Sequence, residues 1–229
     1  MFKDAKISLI IPVLNEEENI GTVFSGTPTF IDEIIIVDNG SIDKTTEVCR
    51  NLGARIIYEK HRGYGSALKT GLLAAKGDIV ICIDGDNTYP LLKIENFLKD
   101  IVDNKYDFIS GQRVFYNDNN TTYLINKVSN IFISWLIRKF FKIGLNDSQS
   151  GMWVFRREIL SKIMPFNYGM GFSQEIKLRA WLTPSIKCNE IQISYSKRLG
   201  GRTKFKRFQD SLIILGNFLK LFKEYHGFI

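Results

Sequence analysis

The sequence predicts an α/β fold in which a mainly parallel sheet is covered by helices on both faces. Four short, β-rich apolar runs occur in the first half, and they are nearly continuous rather than alternating, as is typical of buried parallel strands. Helix-like segments separate these runs, which is the spacing of strand–helix–strand crossovers. The chain has 229 residues, of which 45% are hydrophobic and 24% charged, so one globular domain is expected.

The predicted elements of the first half alternate regularly. The strands are ISLIIPV (7–13), EIIIVD (33–38), RIIYE (55–59) and DIVICID (78–84), and the helices cover 17–24, 44–52 and 66–75. Sheets of this kind bind ligands beyond the carboxyl ends of their strands. Polar residues stand at three of these ends, Asn15–Glu16, Asp38–Asn39 and Asp84–Asp86, so the sequence predicts a site at this edge.

The second half is less regular and ends in an amphipathic helix. The predicted order is a strand over 106–113, a polar loop over 116–122, an apolar helix over 123–143, a loop up to Met152, a helix from about Arg156, a strand over 191–197 and a last helix over 208–222. The last helix fits two interpretations, a helix packed on the core or an interfacial helix on a membrane. No stretch has the roughly 20 uncharged apolar residues of a membrane-spanning helix, so a membrane contact would be peripheral.

The net charge of +7 is concentrated near the end of the sequence. Residues 197–229 hold eight Lys and Arg against two Asp and Glu, which accounts for six of the seven charges. Such asymmetry indicates a localised anionic partner: phosphate groups, a membrane surface or nucleic acid. Three cysteines without close pairing, and an opening that does not resemble a signal sequence, favour a reduced, cytoplasmic setting.

Asp84 and Asp86 are the strongest chemical signal in the sequence. Carboxylates this close raise each other's pKa unless a positive charge lies between them. Side chains two residues apart in extended backbone point the same way, and Gly85 allows a ligand to approach closely. The pair therefore suits Mg²⁺ or Mn²⁺ with open positions for substrate phosphates. The alternative is two acids turned into water at an ordinary turn.

Glu16 and Asp38 stand at neighbouring strand ends, where carboxylates can accept hydrogen bonds from ribose hydroxyls or base N–H groups. The alternative for Asn15 and the acids after it is a helix cap with negative charge in the first turn. The Gly-x-Gly of HRGYGSALKTG (61–71) follows the third strand and lacks a third glycine, so we do not interpret it as a dinucleotide fingerprint.

Five motifs in order resemble glycosyltransferase family 2, and most closely its dolichol-phosphate mannose synthase-like branch. They are IPVLNEEENI, IIIVDNGSIDKT, RGYGSALKTGLLAAKGDIVICIDGDNTYP, DSQSGMWVFRRE and ISYSKRLGGRTKF, and the resemblance runs from about residue 7 to 215. It implies a GT-A fold in a single domain over 1–229. Within it, about 1–112 would bind the nucleotide-sugar, 113–206 would bind the acceptor, and 207–229 would form the amphipathic helix.

The resemblance also implies the residues that hold the donor and the metal. The positions that contact the donor nucleotide correspond to Pro12, Leu14, Glu16 and Asp38. Asp84 and Asp86 match the metal-binding aspartates. Thr88 stands where relatives often have Gln as a third metal ligand.

On the acceptor side, the resemblance implies a set of cations. Arg113 matches an arginine that meets the acceptor phosphate, and Lys127 matches a second acceptor cation. Asp147 falls in the motif that lines the sugar pocket. Arg202 and Lys204 match a basic pair that closes over the diphosphate and the acceptor, so with Asp86 these residues form the predicted catalytic set.

The function implied is a metal-dependent, inverting transfer of a sugar from a UDP- or GDP-linked donor to a polyprenyl or dolichyl phosphate. The enzyme would lie peripherally on the anionic cytoplasmic face of the cell membrane. One alternative keeps the donor but uses a hydroxyl acceptor, a soluble saccharide or a protein, with Asp147 or Glu175 as base. For Glu175 a helix salt bridge is the competing interpretation.

The sequence disfavours two other classes of protein. A nucleotidyltransferase would carry a Gly-rich basic loop after the first strand, where this chain has VLNEEENI. A non-catalytic binding module, for a nucleotide-sugar or for nucleic acid, would leave the Asp84 and Asp86 pair without a role. We therefore expect no nucleic-acid partner.

Overall fold

Seven strands form one sheet in the described part of the computed structural model. The structure describes residues 1–114, 121–201 and 207–227, without the side chains of 121–126 and 207–209. The strands are β1 (Ile7–Val13), β2 (Glu33–Asp38), β3 (Arg55–Tyr58), β4 (Ile79–Cys82), β5 (Phe108–Val114), β6 (Trp153–Arg156) and β7 (Cys188–Ser194). Their order is β3-β2-β1-β4-β6-β5-β7. All pairings are parallel except those of β6, which runs antiparallel to β4 and β5. The predicted α/β class is confirmed.

Within the described residues, eight α-helices connect and cover the strands. They are α1 (Ile20–Ser25), α2 (Thr45–Asn51), α3 (Tyr64–Ala74), α4 (Ile94–Val102), α5 (Thr121–Phe141), α6 (Leu160–Ile163), α7 (Phe172–Leu182) and α8 (Arg207–His226). The bounds of the long helix after β5 and of the final helix both lie within four residues of the prediction. None of the helices in the described part of the chain is long and apolar enough to cross a membrane.

The alternation of side chains along β1 builds a core on each face of the sheet. Ile7, Leu9 and Ile11 pack in one cluster with Phe97 of α4. Ile10 points the other way, into a cluster that includes α3 and α7. Since both faces are buried, every second residue need not be polar, which explains the continuous apolar runs.

Helix α1 begins at Ile20, three residues later than predicted. Asn15 does not cap it, because this residue adopts a positive φ of 53° and its side-chain carbonyl accepts the N–H of Ile42 at 2.8 Å. The acids of the segment after β1 therefore lie in a loop at the carboxyl edge of the sheet, where they are available to a site.

Strand β6 was missed by the sequence prediction, which placed a loop up to Met152 and a helix from about Arg156. The helix α6 begins only at Leu160, after a short 3₁₀ turn over 157–159. Four residues are too few for periodicity to distinguish a strand from a helix. What makes this segment a strand is its pairing with β4 and β5.

Helices α5, α7 and α8 form a further layer with a small core of its own. Ile137 and Phe141 of α5 meet Leu178 of α7 and Phe218 and Leu221 of α8. One of the two interpretations of the last helix was that it packs on the core. The structure confirms this for one face of α8.

We expect Gly71→Ala to destabilise the fold by about 1–3 kcal/mol, because a methyl group there would collide with the Ile10 side chain of β1. Gly216→Ala is the matched control in α8, where an added methyl meets no described atom within 4 Å, and it should stabilise by up to about 1 kcal/mol. Urea unfolding measures both. Equal effects of the two substitutions would contradict the close packing of α3 on β1.

Candidate active site

The carboxyl ends of β1, β2 and β4 meet at one edge of the sheet, as predicted. Val13 pairs with Asp38, and Ile10 pairs with Cys82, so the residues that follow these strands lie side by side. Glu16 and Asp38 are buried there, with 6% and 2% exposure. The predicted donor residues Pro12 and Leu14 flank them, Pro12 buried and Leu14 partly exposed.

Asp84 and Asp86 follow β4 at this edge, and the surroundings of Asp84 lack enough positive charge. Burial, and then the nearby charge of Asp86, raise the pKa of Asp84 to about 7. A hydrogen bond of 2.7 Å from the Tyr64 hydroxyl to Asp84 Oδ1 works in the opposite direction. A carboxylate pair in this condition binds a cation favourably, so the donor set fits a divalent metal.

Thr88, the predicted third metal ligand, contacts Asp86 in the structure. Its backbone N–H and its hydroxyl both donate to Asp86 Oδ1, at 3.2 and 2.6 Å. No group of three or more His, Cys, Asp or Glu side chains that could hold a metal is found in the described ranges. A metal bound to the two aspartates would therefore take its remaining ligands from substrate and water.

Two glycines let the backbone close around the aspartates. A Cβ at Gly85 would lie 2.9 Å from Val13 Cγ1, and a Cβ at Gly151 would lie 2.5 Å from Asp84 Oδ2. The N–H of Gly151 also donates to the Tyr89 hydroxyl at 2.6 Å. The backbone of the loop at Gly151 thus packs directly against the Asp84 carboxylate.

Arg198 is one residue of the site that the sequence did not predict. One of its nitrogens, Nη2, donates to Glu16 Oε1 at 2.8 Å and to Asp86 Oδ2 at 3.2 Å. The guanidinium therefore joins a predicted donor-binding carboxylate to a predicted metal ligand. In the sequence Arg198 is only one of the basic residues near the end of the chain, because the residues around it do not indicate that it contacts Glu16 and Asp86.

Arg113 and Asp147 form a buried, bidentate ion pair. Arg113 Nε donates to Asp147 Oδ2 at 2.7 Å and Nη2 donates to Oδ1 at 2.9 Å. Burial works against the charge of Asp147, but Arg113 outweighs it and lowers the pKa of Asp147 from 3.8 to about 2. Because a carboxylate with such a pKa is a poor proton acceptor near neutrality, Asp147 is better suited to orienting Arg113 than to acting as a base.

Lys177 of α7 binds the loop that carries Asp147 and Gly151. Its side chain is fully buried in α7, and Nζ donates to the carbonyl oxygens of Asp147 at 3.1 Å and Ser150 at 2.7 Å. Burial lowers the pKa of Lys177 to about 7 despite the nearby Asp147 charge. Glu190 accepts the N–H of Asp147 at 2.8 Å, so side chains from α7 and β7 fix this loop.

Four of the predicted residues remain: Lys127, Arg202, Lys204 and Glu175. Lys127 lies on α5 and is partly exposed. Arg202 and Lys204 lie outside the described residues, so their predicted roles stay predictions. Glu175 pairs with Arg179 at 2.9 Å, which confirms the helix salt bridge.

Comparison with known proteins establishes the class. The family model described as Glycosyl transferase family 2 matches residues 8–164. Together with the mostly parallel sheet and the paired aspartates at its carboxyl edge, this match makes the protein a glycosyltransferase. The chain belongs to glycosyl transferase family 2, which confirms the resemblance drawn from the five motifs.

Several relatives match nearly the whole chain, and two of them are described here by their identity and coverage. A dolichyl-phosphate hexose transferase of Haloferax volcanii is 31% identical over 221 residues, 95% of this chain and 94% of that protein. An uncharacterized glycosyltransferase of Mycobacterium tuberculosis is 29% identical over 94% of this chain and 97% of its own length.

Solved structures confirm the GT-A fold. Glucosyl-3-phosphoglycerate synthase from Mycobacterium tuberculosis, in complex with Mn²⁺, UDP and phosphoglyceric acid, matches with a TM-score of 0.80 at 21% identity, covering 95% of this chain and 78% of that one. Its complex with Mg²⁺ and UDP gives a TM-score of 0.79 at the same identity, covering 95% and 79%.

If Asp84 holds a divalent metal, as the sequence predicts, Gly151→Ala should weaken Mn²⁺ binding by about tenfold, because the added methyl would displace the Asp84 carboxylate. Gly144→Ala, in the segment between α5 and Asp147, is the control, since an added methyl there meets no described atom within 4 Å. Electron paramagnetic resonance of free Mn²⁺ gives both affinities. Unchanged affinity in the Gly151 variant would show that Asp84 does not hold the metal.

Proposed function

We propose that the protein transfers a hexosyl group from a nucleoside-diphosphate sugar to a polyprenyl or dolichyl phosphate, with a divalent metal and inversion at the anomeric carbon. The observation that carries this proposal is the pairing of Asp84 and Asp86 beside Glu16 and Asp38 at the carboxyl edge of the sheet. The 31% identity with a dolichyl-phosphate hexose transferase over 95% of the chain supports the acceptor.

The donor half of the proposal assigns roles to the acidic residues. Glu16 and Asp38 accept hydrogen bonds from the nucleoside, with Pro12 and Leu14 beside it. Asp84 and Asp86 hold Mg²⁺ or Mn²⁺, and a metal bound there would neutralise charge that develops on the leaving diphosphate. The structural neighbour crystallised with Mn²⁺ and UDP is consistent with this arrangement.

The acceptor half depends on cations rather than on a base. A phosphate acceptor is already anionic near pH 7, so one of its oxygens attacks the anomeric carbon as the bond to the diphosphate breaks. The electron pair of that bond leaves with the nucleoside diphosphate. Arg113, held by Asp147, attracts the acceptor, and Lys127, Arg202 and Lys204 add positive charge.

Membrane contact on the cytoplasmic face is part of the proposal, and the exposed faces of α5 and α8 support it. On α5, polar Asn130 and Ser134 are buried, whereas large apolar side chains are exposed; these are Val128 at 64%, Ile131 at 52%, Phe132 at 55% and Trp135 at 44%. Helix α8 likewise exposes Leu212, Leu215 and Leu219. Water does not favour this reversed pattern, but a lipid interface does.

Cations accompany the apolar face of α5. Lys139 Nζ lies 4.9 Å from the centroid of the Trp135 ring, and the rings of Phe132 and Trp135 stack at 6.1 Å. Aromatic rings beside Lys suit the boundary between anionic headgroups and acyl chains. The face therefore fits an anionic leaflet.

The direct test is transfer of radiolabel from UDP- and GDP-sugars to a short polyprenyl phosphate, with Mg²⁺, with Mn²⁺ and with chelator. We expect a metal-dependent, lipid-extractable product from one donor, and a loss of about 10²-fold or more in Asp86→Ala. Circular dichroism checks that this variant is folded. A product formed only with a soluble saccharide would replace the lipid acceptor, and wild-type rates in Asp86→Ala would remove the metal role of Asp86.

Sedimentation with anionic liposomes tests the membrane face. We expect the double substitution Phe132→Asp and Trp135→Asp to lower liposome binding by about tenfold or more, because it removes two exposed aromatic side chains and adds negative charge. Leu73→Asp, at a still more exposed apolar position on α3, is the control and should bind as wild type does. Equal binding of all three proteins would contradict the assignment of this face.

A further inference from the structure

The segment of residues 196–201, which follows β7, lies across the acidic edge of the site. It is tied down by backbone contacts with two loops, those after β4 and β1. To the loop after β4, Ser196 N–H donates to the carbonyl oxygen of Thr88 at 3.0 Å. To the loop after β1, the backbone of Gly200 exchanges two hydrogen bonds of 3.2 Å with the side-chain amide of Asn19, and Gly201 N–H donates to Glu18 Oε2 at 3.1 Å.

Arg198 lies at the centre of this segment and contacts Asp86, one of the two proposed metal ligands. Its Nη2 donates to both Glu16 Oε1 and Asp86 Oδ2, and the side chains of all three residues are less than one-fifth exposed. Charge-assisted hydrogen bonds in such partly buried surroundings are stronger than those in water. The guanidinium thus supplies positive charge at Asp86, one of the two carboxylates that a metal would bind.

We infer that Arg198 is the resident counter-ion of the site in its metal-free state and that a divalent cation binds by displacing it from Asp86. The inference rests on the proposed function for the presence of the metal. Two cations at Asp86 Oδ2 would repel each other strongly in a partly buried site. Arg198 keeps its bond to Glu16 when it leaves Asp86, so it stays at the donor edge.

Displacement of Arg198 couples metal binding to the basic segment of the chain. Arg198 anchors the stretch that leads directly to Arg202 and Lys204. A metal at Asp84 and Asp86 removes one of the contacts that hold this stretch against the site. Because such coupling is reciprocal, Arg198 weakens metal binding by the same factor as the metal weakens the Arg198–Asp86 contact. Arg198 is thus a positioning residue that sets metal affinity.

The experiment measures Mn²⁺ affinity without nucleotide, by electron paramagnetic resonance of free Mn²⁺. We expect Arg198→Gln to bind Mn²⁺ about tenfold more tightly than wild type, because the competing charge-assisted bond is lost. Arg198→Lys keeps the charge and should restore the wild-type affinity. Lys197→Gln removes an exposed neighbouring charge and should change the affinity by no more than about twofold, since exposed charges are screened.

Thermal unfolding provides a second readout and checks that each variant folds. Metal-free Arg198→Gln should unfold at a lower temperature than wild type, because Asp84 and Asp86 lose their counter-ion. Added Mn²⁺ should then raise its unfolding temperature by more than it raises that of wild type, since tighter binding to the folded state stabilises more.

The possible results separate this inference from the proposed function. Equal Mn²⁺ affinity in wild type, Arg198→Gln and Lys197→Gln would overturn the displacement while leaving the metal site intact. Weaker binding in Arg198→Gln would also overturn it, because Arg198 would then assist the metal. Absence of Mn²⁺ binding in every variant would overturn the metal site together with the inference, and the transfer assay with chelator would then show whether sugar transfer survives.

Discussion

The repulsion between Asp84 and Asp86 is the constraint to which the rest of the site responds. Two carboxylates separated by a single residue at the end of a buried strand repel each other unless positive charge or hydrogen bonds compensate. Tyr64 and Thr88 each donate a hydrogen bond to one of them, and Arg198 brings a full positive charge. Even so, the pKa of Asp84 is raised to about 7. The folded protein thus retains at this edge an unfavourable charge pair that a divalent cation would relieve.

A second charge pair, Arg113 with Asp147, is tied to the first through one short loop. Asp147 begins the loop and Gly151, against the Asp84 carboxylate, ends it. The buried Lys177 side chain donates to the carbonyl oxygens of Asp147 and Ser150, so it holds the loop near both of its ends. The loop therefore sets the distance between the cation proposed for the acceptor and the carboxylates proposed for the metal. A small shift of its backbone would affect both halves of the site.

Local patterns in the sequence predict much of this arrangement, and the remainder depends on contacts between distant segments. The apolar runs and the acids after them fix β1, β2 and β4 and the edge where Asp84 and Asp86 lie. The roles of Arg198 and Lys177 could not be predicted, because an arginine 112 residues from Asp86 and a lysine inside a helix carry no local signal. Strand β6 was not predicted because its pairing with β4, a contact between distant segments, makes it a strand, and its periodicity does not.

The connections out of the site are consistent with the lipid phosphate acceptor that we propose. β5 carries Arg113 and ends at Val114, and α5, with its exposed apolar face, begins at Thr121. These two ends are at most roughly 25 Å apart along the chain. The segment with Arg198 leads in the same way through the basic run to α8, which also exposes apolar side chains. In both cases cations at the site continue into a helix that presents apolar surface. A polyprenyl phosphate, the acceptor that we propose, has the same two parts, an anionic head and an apolar tail.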